Sequence, residues 1–284
     1  VKNPLRVDPT RTTTLRQRFI NEMKRRFNQL AKAIQQYWAD QISIPRMGRL
    51  ADRNFVFETD PQKLEAFNQW FKQQVERALL FPSPDAPFDM PWVAMYVDTA
   101  YKRGMRNAFL ATQQAGILTP YDTSEEFMQH VAFAPEAMSK VKLLATRAFE
   151  NLKGISEGTA TRMNQILAEA MIVGLPPLEV AKQMVSGLEN ISFRRAFTLA
   201  RTEIIFAHAE GQLDSFEQLG VEELGIQAEW STAGDERVCP QCRPQEGKIF
   251  TIEEARGKIP LHPNCRCTWI PHLKETRKRK NTNP

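Results

Sequence analysis

Hydrophobic positions in the first two thirds of the chain recur every three to four residues, the period of a helix face. Leu15, Phe19, Met23, Phe27, Leu30, Ile34 and Tyr37 predict one long helix over 11–40, with Thr12 to Thr14 as possible N-caps. Its opposite face carries Arg11, Arg18, Arg25 and Lys32. Asp60-Pro61 starts a second helix with the stripe Leu64, Phe67, Trp70, Phe71 and Val75. Pro82, Pro84, Pro87 and Pro91 mark a loop, and a third helix is expected over 92–114. Thr123 followed by Glu126 resembles a capping box. Pro135 opens a helix with Met138, Val141, Leu144 and Phe149 on its stripe. Ser156 then predicts the cap of a separate helix ending at Gly174. Pro176-Pro177 predicts a short helix to about Ser186, and 192–219 a further long one stopped by Gly220. No self-similar period of 20–50 residues emerges, which argues against a helical repeat.

After Gly220 the texture changes to short runs separated by turn residues. Segments 227–232, 248–251 and 268–270 predict strands, separated by Gly234, Pro240, Pro244, Gly247, Pro260 and Pro263. Too few apolar residues lie between 233 and 267 for a self-sufficient core, so another constraint is expected. The fold class that follows is mainly α, an elongated helical body with a small C-terminal α+β metal-binding module. The division expected is 1–150, 151–221, 222–273 and a basic tail, 274–284.

At 284 residues, with 42% hydrophobic and 25% charged residues, the composition is that of a globular chain. No apolar run approaches a membrane span, and Val1 to Pro4 reads as neither signal peptide nor anchor. Net charge is only +5, but it is segregated. Residues 11–32 carry a net +6 and the tail a net +4, leaving −5 for the rest. Lys274, Arg277, Lys278, Arg279 and Lys280 in the tail are the candidate nucleic-acid contacts. Such clusters neutralise phosphates without reading bases. The competing readings are a solubilising tail and an ordinary solvated helix face.

The four cysteines fall between 239 and 267. Cys239-Pro240-Gln241-Cys242 forms one C-x2-C turn, and His262-Pro263-Asn264-Cys265-Arg266-Cys267 supplies further thiols and an imidazole. Sulfur and nitrogen donors from two tight turns suit tetrahedral Zn2+. Five candidates compete for four positions. Cys239, Cys242, Cys265 and Cys267 are favoured, with His262 the substitute for one of the last pair. A set that rich in ligands points to a closed structural site rather than a catalytic one with an open position. Disulfide pairing is the rival, and Asp235 and Glu236 read as solvated turn residues.

Leu199-Ala200-Arg201-Thr202-Glu203, the C-P-x-C pair and the H-P-N-C-R-C run together resemble the Mu F-like minor head protein (head morphogenesis) family of tailed bacteriophages, over roughly 152–271. The resemblance implies a non-enzymatic minor capsid protein of the virion, located at the portal vertex and, during assembly, in the host cytoplasm. Its implied partners are the portal protein, other capsid components and DNA bound non-specifically, with no membrane and no small-molecule substrate. It also implies roles in head assembly and in DNA packaging or ejection. The alternatives are a zinc-containing nucleic-acid-processing enzyme and a free DNA-binding regulator. Arg201 and Glu203 are adjacent but one on a helix, so they do not face each other as a catalytic pair would. They are expected to tie the helix to the metal module. His208, on the same helix, reads as a packing or surface residue.

Overall fold

Six helices lead into a three-stranded sheet, as seen in a computed structural model that describes residues 8–43, 61–80, 91–173, 175, 177–220 and 225–273. They are α1 (Thr13–Ser43), α2 (Pro61–Val75) continued by a wider turn at Glu76–Leu80, α3 (Ala94–Gln114), α4 (Ser124–Val131), α5 (Pro135–Val173) and α6 (Pro177–Gln218). The chain is mainly helical, as expected. Strands β1 (Ile226–Ser231), β2 (Ile249–Phe250) and β3 (Thr268–Leu273) follow, with a short α7 (Ile252–Ala255) between β2 and β3. The loop of prolines at 82–91 lies, but for Pro91, outside the described residues, as does the tail.

Proline opens α2, α5 and α6, where its missing N–H costs nothing and its fixed φ suits a first turn. Thr123 caps α4 by accepting the Glu126 N–H, but the Glu126 carboxylate reaches back to the Asp122 N–H rather than to Thr123. The full reciprocal box occurs instead at α7, between Thr251 and Glu254.

Two expected helix boundaries do not exist. Ser156 lies inside α5, where its hydroxyl donates to the Leu152 carbonyl one turn back, so α5 is continuous through it. Likewise, α6 runs unbroken through Ser186 and Gly187. Gly187 is retained for space: a Cβ there would meet Ile166 Cδ1 at 2.7 Å and Met163 Cε at 3.1 Å. The stripe expected after Pro135 also shifts. Met138 is 53% exposed, and Ala137, Val141, Leu144, Ala145 and Ala148 form the buried row.

The chain groups into two units, each drawn from separate stretches. One contains 16–95 and 145–200. Its aromatic side chains cluster where α1 meets α2: Tyr37 stacks near Trp70 at 4.4 Å, and Phe67 lies on Phe71 at 5.7 Å. Here two arginines of the basic segment, Arg16 and Arg26, are buried. Arg26 binds Glu22, donates to the Ala78 carbonyl and lies 4.5 Å over the Trp92 ring. Only Arg18, Arg25 and Lys32 form the solvated helix face that was expected; Arg11 precedes α1, with φ +52°.

The other unit contains 1–15, 96–144 and 201–284. Here α3 and α6 cross at two glycines. A Cβ on Gly104 would lie 2.0 Å from the His208 carbonyl oxygen, and one on Gly211 2.1 Å from that of Tyr101. Hydrogen at both positions lets the backbones touch. The antiparallel sheet, in the order β2-β1-β3, then packs on an apolar flank of α6.

Candidate metal centre on helix α6

Two apolar surfaces make the module's core, and only one belongs to the module. From the sheet side come Ile226, Ala228, Trp230 and Trp269, with Ile252, Ala255 and Ile259. From the helices come Ile205, Ala209, Leu213 and Phe216 of α6 and Ala108 of α3. Trp230 and Trp269 meet edge to face at 5.2 Å. The shortage of apolar residues between 233 and 267 is therefore made up by α6, and Cys242, Cys265 and Cys267 are buried in the same cluster.

Polar side chains on α6 fix the sheet's position. The amide of Gln212, 3% exposed, substitutes for a missing strand neighbour. Its Nε2 donates to the Trp269 carbonyl at 2.9 Å, and its Oε1 accepts from the Trp269 N–H at 3.1 Å and the Thr268 hydroxyl at 2.8 Å. With Pro271 next along, β3 offers few groups for further strand pairing.

One helical face further round, Glu210, Asp214 and Glu217 converge on Arg256, at 3.2, 2.6 and 2.7 Å. Glu210 also binds Lys140 at 2.9 Å and accepts the Gly257 N–H at 3.0 Å. Burial opposes its charge, but the Lys140 and Gly257 hydrogen bonds outweigh that and hold its carboxyl below the usual range. The Tyr101 hydroxyl donates to Asp214 at 2.7 Å, and burial pushes its ionisation far up.

The five candidate ligands come together in two groups that share Cys242: Cys239, Cys242 and His262, and Cys242, Cys265 and Cys267. Cys239 and Cys242 face each other through a turn in which the Cys242 N–H donates to Cys239 Sγ at 3.3 Å. His262 Nε2 lies 3.0 Å from Cys239 Sγ and 3.1 Å from Cys242 Sγ. Its Nδ1–H donates to the Pro263 carbonyl at 2.7 Å, which leaves Nε2 free to bind a cation. Cys242 and Cys265 Sγ are 3.8 Å apart. Two thiolates on a tetrahedral zinc stand about 3.8 Å apart when Zn–S is about 2.3 Å. The Cys242–Cys265 spacing is therefore that of two zinc-bound thiolates, and the sulfur and nitrogen donors around it are of the type zinc accepts.

Electrostatics favour a cation. Hydrogen bonding from Cys267 favours the thiolate of Cys265, whereas burial, followed by the charge of Cys265, pushes Cys242 up. A dry cluster that stabilises one thiolate resists a second unless positive charge enters. Asp235, expected to be a solvated turn residue, instead forms a bidentate pair with Arg266, the residue between Cys265 and Cys267, at 2.7 and 2.6 Å. Those bonds hold its carboxyl well below the usual range.

Of the other expected residues, Glu203 is buried and Arg201 half-buried near the start of this part of α6. Burial and the neighbouring charges of Arg266 and Arg237 disfavour the Arg201 cation, and Asp8 favours it. His208 is fully buried, with Nε2 3.0 Å from the Asn107 amide. Lys274, Arg277, Lys278, Arg279 and Lys280 lie outside the described residues. Glu210, Gln212, Asp214 and Glu217 went unrecognised in the sequence. Their only local signal is a cluster of polar residues on a helix flanked by buried positions.

Residues 161–270 match the family described as Phage Mu protein F like protein. No curated protein and no solved structure matches the chain. The matched stretch takes in the latter part of α5, α6 and the cysteine module. It supports a phage head morphogenesis protein, of a family that is structural in general and belongs with other capsid components in the virion.

Proposed function

We propose that this Mu F-like phage head protein is a minor capsid component at the portal vertex, acting in head assembly and in DNA packaging or ejection. The observation that carries the reading is the coincidence of the family match with a cysteine–histidine cluster, part of it buried against α6. Such an arrangement gives a rigid presenting surface rather than a reaction cleft. Cys239, Cys242 and Cys265, with Cys267 or His262, would hold Zn2+. When bound, the ion cross-links two loops and neutralises thiolate charge. The chain's own residues supply the remaining order: Gln212 fixes β3, and Arg256 fixes the turn after α7. Among the described residues, no helix is long and apolar enough to cross a membrane.

Non-specific DNA contact belongs to the same proposal. The exposed row Arg18, Arg25 and Lys32 on α1 and the cationic tail supply positive charge without aromatic base-reading motifs. Host cytoplasm during assembly and the virion afterwards are the compartments it implies.

Co-expression with the portal protein of the same phage tests the reading. A complex that survives gel filtration, with the chain present in purified particles by mass spectrometry, is expected. A chain absent from particles and unable to bind the portal refutes it.

A further inference from the structure

The two loops that bear the cysteines are joined by a bond that involves no cysteine. Asp235 begins the turn that leads to Cys239, and its carbonyl accepts the Val238 N–H at 3.1 Å. Its carboxylate is aimed by its own loop, since Oδ1 accepts the backbone N–H of Arg237 at 3.1 Å. The two carboxylate oxygens take both terminal nitrogens of Arg266, 31 residues away. A guanidinium fork on a carboxylate fixes angle as well as distance. Because Arg266 is flanked by Cys265 and Cys267, the fork sets where the second loop presents its thiols.

The rest of the module is also tied independently of the cysteines. Gln212 holds β3 at Thr268 and Trp269, directly after Cys267. The core of Trp230, Trp269, Ile252, Ala255 and Ile259 rests on α6. This differs from small zinc domains whose chain is unfolded without metal because the ion is their main cross-link.

We propose that Asp235 and Arg266 are positioning residues for the metal, latching the two cysteine loops at binding distance so that the module folds first and takes its ion second. The proposal rests on the reading of the cluster as a metal site. Its consequence is that zinc tightens a preformed module, and that the latch sets how tightly the ion is held.

The test uses the full chain, with zinc affinity measured by competition against a chromophoric chelator. Hydrogen exchange of residues 226–273 is followed by mass spectrometry with and without the metal. Wild-type chain stripped of metal should keep protection in β1 and β3. Asp235→Asn and Arg266→Lys, which keep size or charge but lose the fork, should each weaken zinc binding about 10-fold or more, the effect expected of an outer partner of a ligand. Arg237→Ala, which removes an exposed guanidinium from the same carboxylate, should stay near wild type. Loss of β1 and β3 protection on stripping wild-type chain would overturn the proposal, as would Asp235→Asn binding zinc as tightly as wild type. If wild-type chain binds no zinc, the metal reading fails separately. The latch is then judged on apo protein, where Asp235→Asn must speed exchange in the cysteine loops and an unchanged rate refutes it.

Discussion

Gly211 lies where α6 crosses α3, and its replacement by alanine should destabilise the protein although it improves the helix. In isolation, Gly→Ala in a helix interior gains about 1 kcal/mol. Here the new Cβ would stand 2.1 Å from the Tyr101 carbonyl oxygen, against 3.4 Å for ordinary contact, and the obstacle is backbone, not a side chain that can rotate away. The helices must part by roughly 1 Å, loosening every contact along the crossing, and overpacking of this kind costs about 1–3 kcal/mol, occasionally more. A rigid obstacle belongs at or above the upper end of that range, so the net loss should be about 2 kcal/mol. For a chain of 284 residues, with an unfolding entropy of about 2.1 cal/mol/K per residue, that lowers Tm by about 3–4 °C. Gly154 provides the control. It lies exposed in α5 with nothing within 4 Å of its added Cβ, so Gly154→Ala should gain about 1 kcal/mol and raise Tm by about 2 °C. Thermal melts followed by the far-ultraviolet circular dichroism of the helices would read both. A Gly211→Ala protein melting at or above wild type would refute the close crossing.

Acid should release the Arg256 clamp. Glu210 has a folded-state pKa below its unfolded value, so its contribution is fully present above about pH 4.5 and is lost as pH falls through the lower folded value. Urea titrations across that window should show a steeper loss of stability in wild type than in Glu210→Gln; parallel curves would show that the carboxylate is not coupled to folding. Metal analysis of purified chain should find about one zinc, and Cys265→Ser should abolish it. Comparing Cys267→Ser with His262→Ala would identify the fourth ligand, since the ligand's loss costs more affinity; equal retention of zinc in both would mean that neither binds it. Deleting 274–284 should weaken DNA binding and reduce its dependence on salt, and an unchanged salt slope would move the contact elsewhere.

Much of the helical order was legible because its signals are local. Pro61, Pro135 and Pro177 begin helices, Gly220 ends one with φ +83°, and the strand run around Trp230 alternates as half-buried strands do. The misread boundaries were overruled by packing. Ser156 is a good cap in isolation, but in α5 its hydroxyl is satisfied by Leu152, and Gly187 looks like a break yet makes room for Ile166 and Met163. The cysteine cluster was legible as a group because C-x2-C and C-x-C spacings confine the thiols. Its supports were not, because Asp235 and Arg266 are 31 residues apart and Gln212 and Trp269 are 57 apart. Nothing in the residues near Asp235 distinguishes a latch from a solvated turn.

The polar residues on α6 explain why an apolar interface alone would not suffice. Ile205, Ala209, Leu213 and Phe216 bury the sheet, but such a surface is tolerant of sliding and rotation. Gln212 requires the backbone of one residue, Trp269, and the carboxylates at 210, 214 and 217 require one guanidinium, so both conditions hold in a single register. A shifted sheet would strand Glu210, 4% exposed, beside Lys140 alone and leave a buried amide unpaired, each at a cost of about 1–3 kcal/mol. Gly104 and Gly211 carry the same constraint to the other side of α6, by fixing its backbone against α3. The cysteine loops are therefore held in place through α6 from both sides, in one register and one orientation.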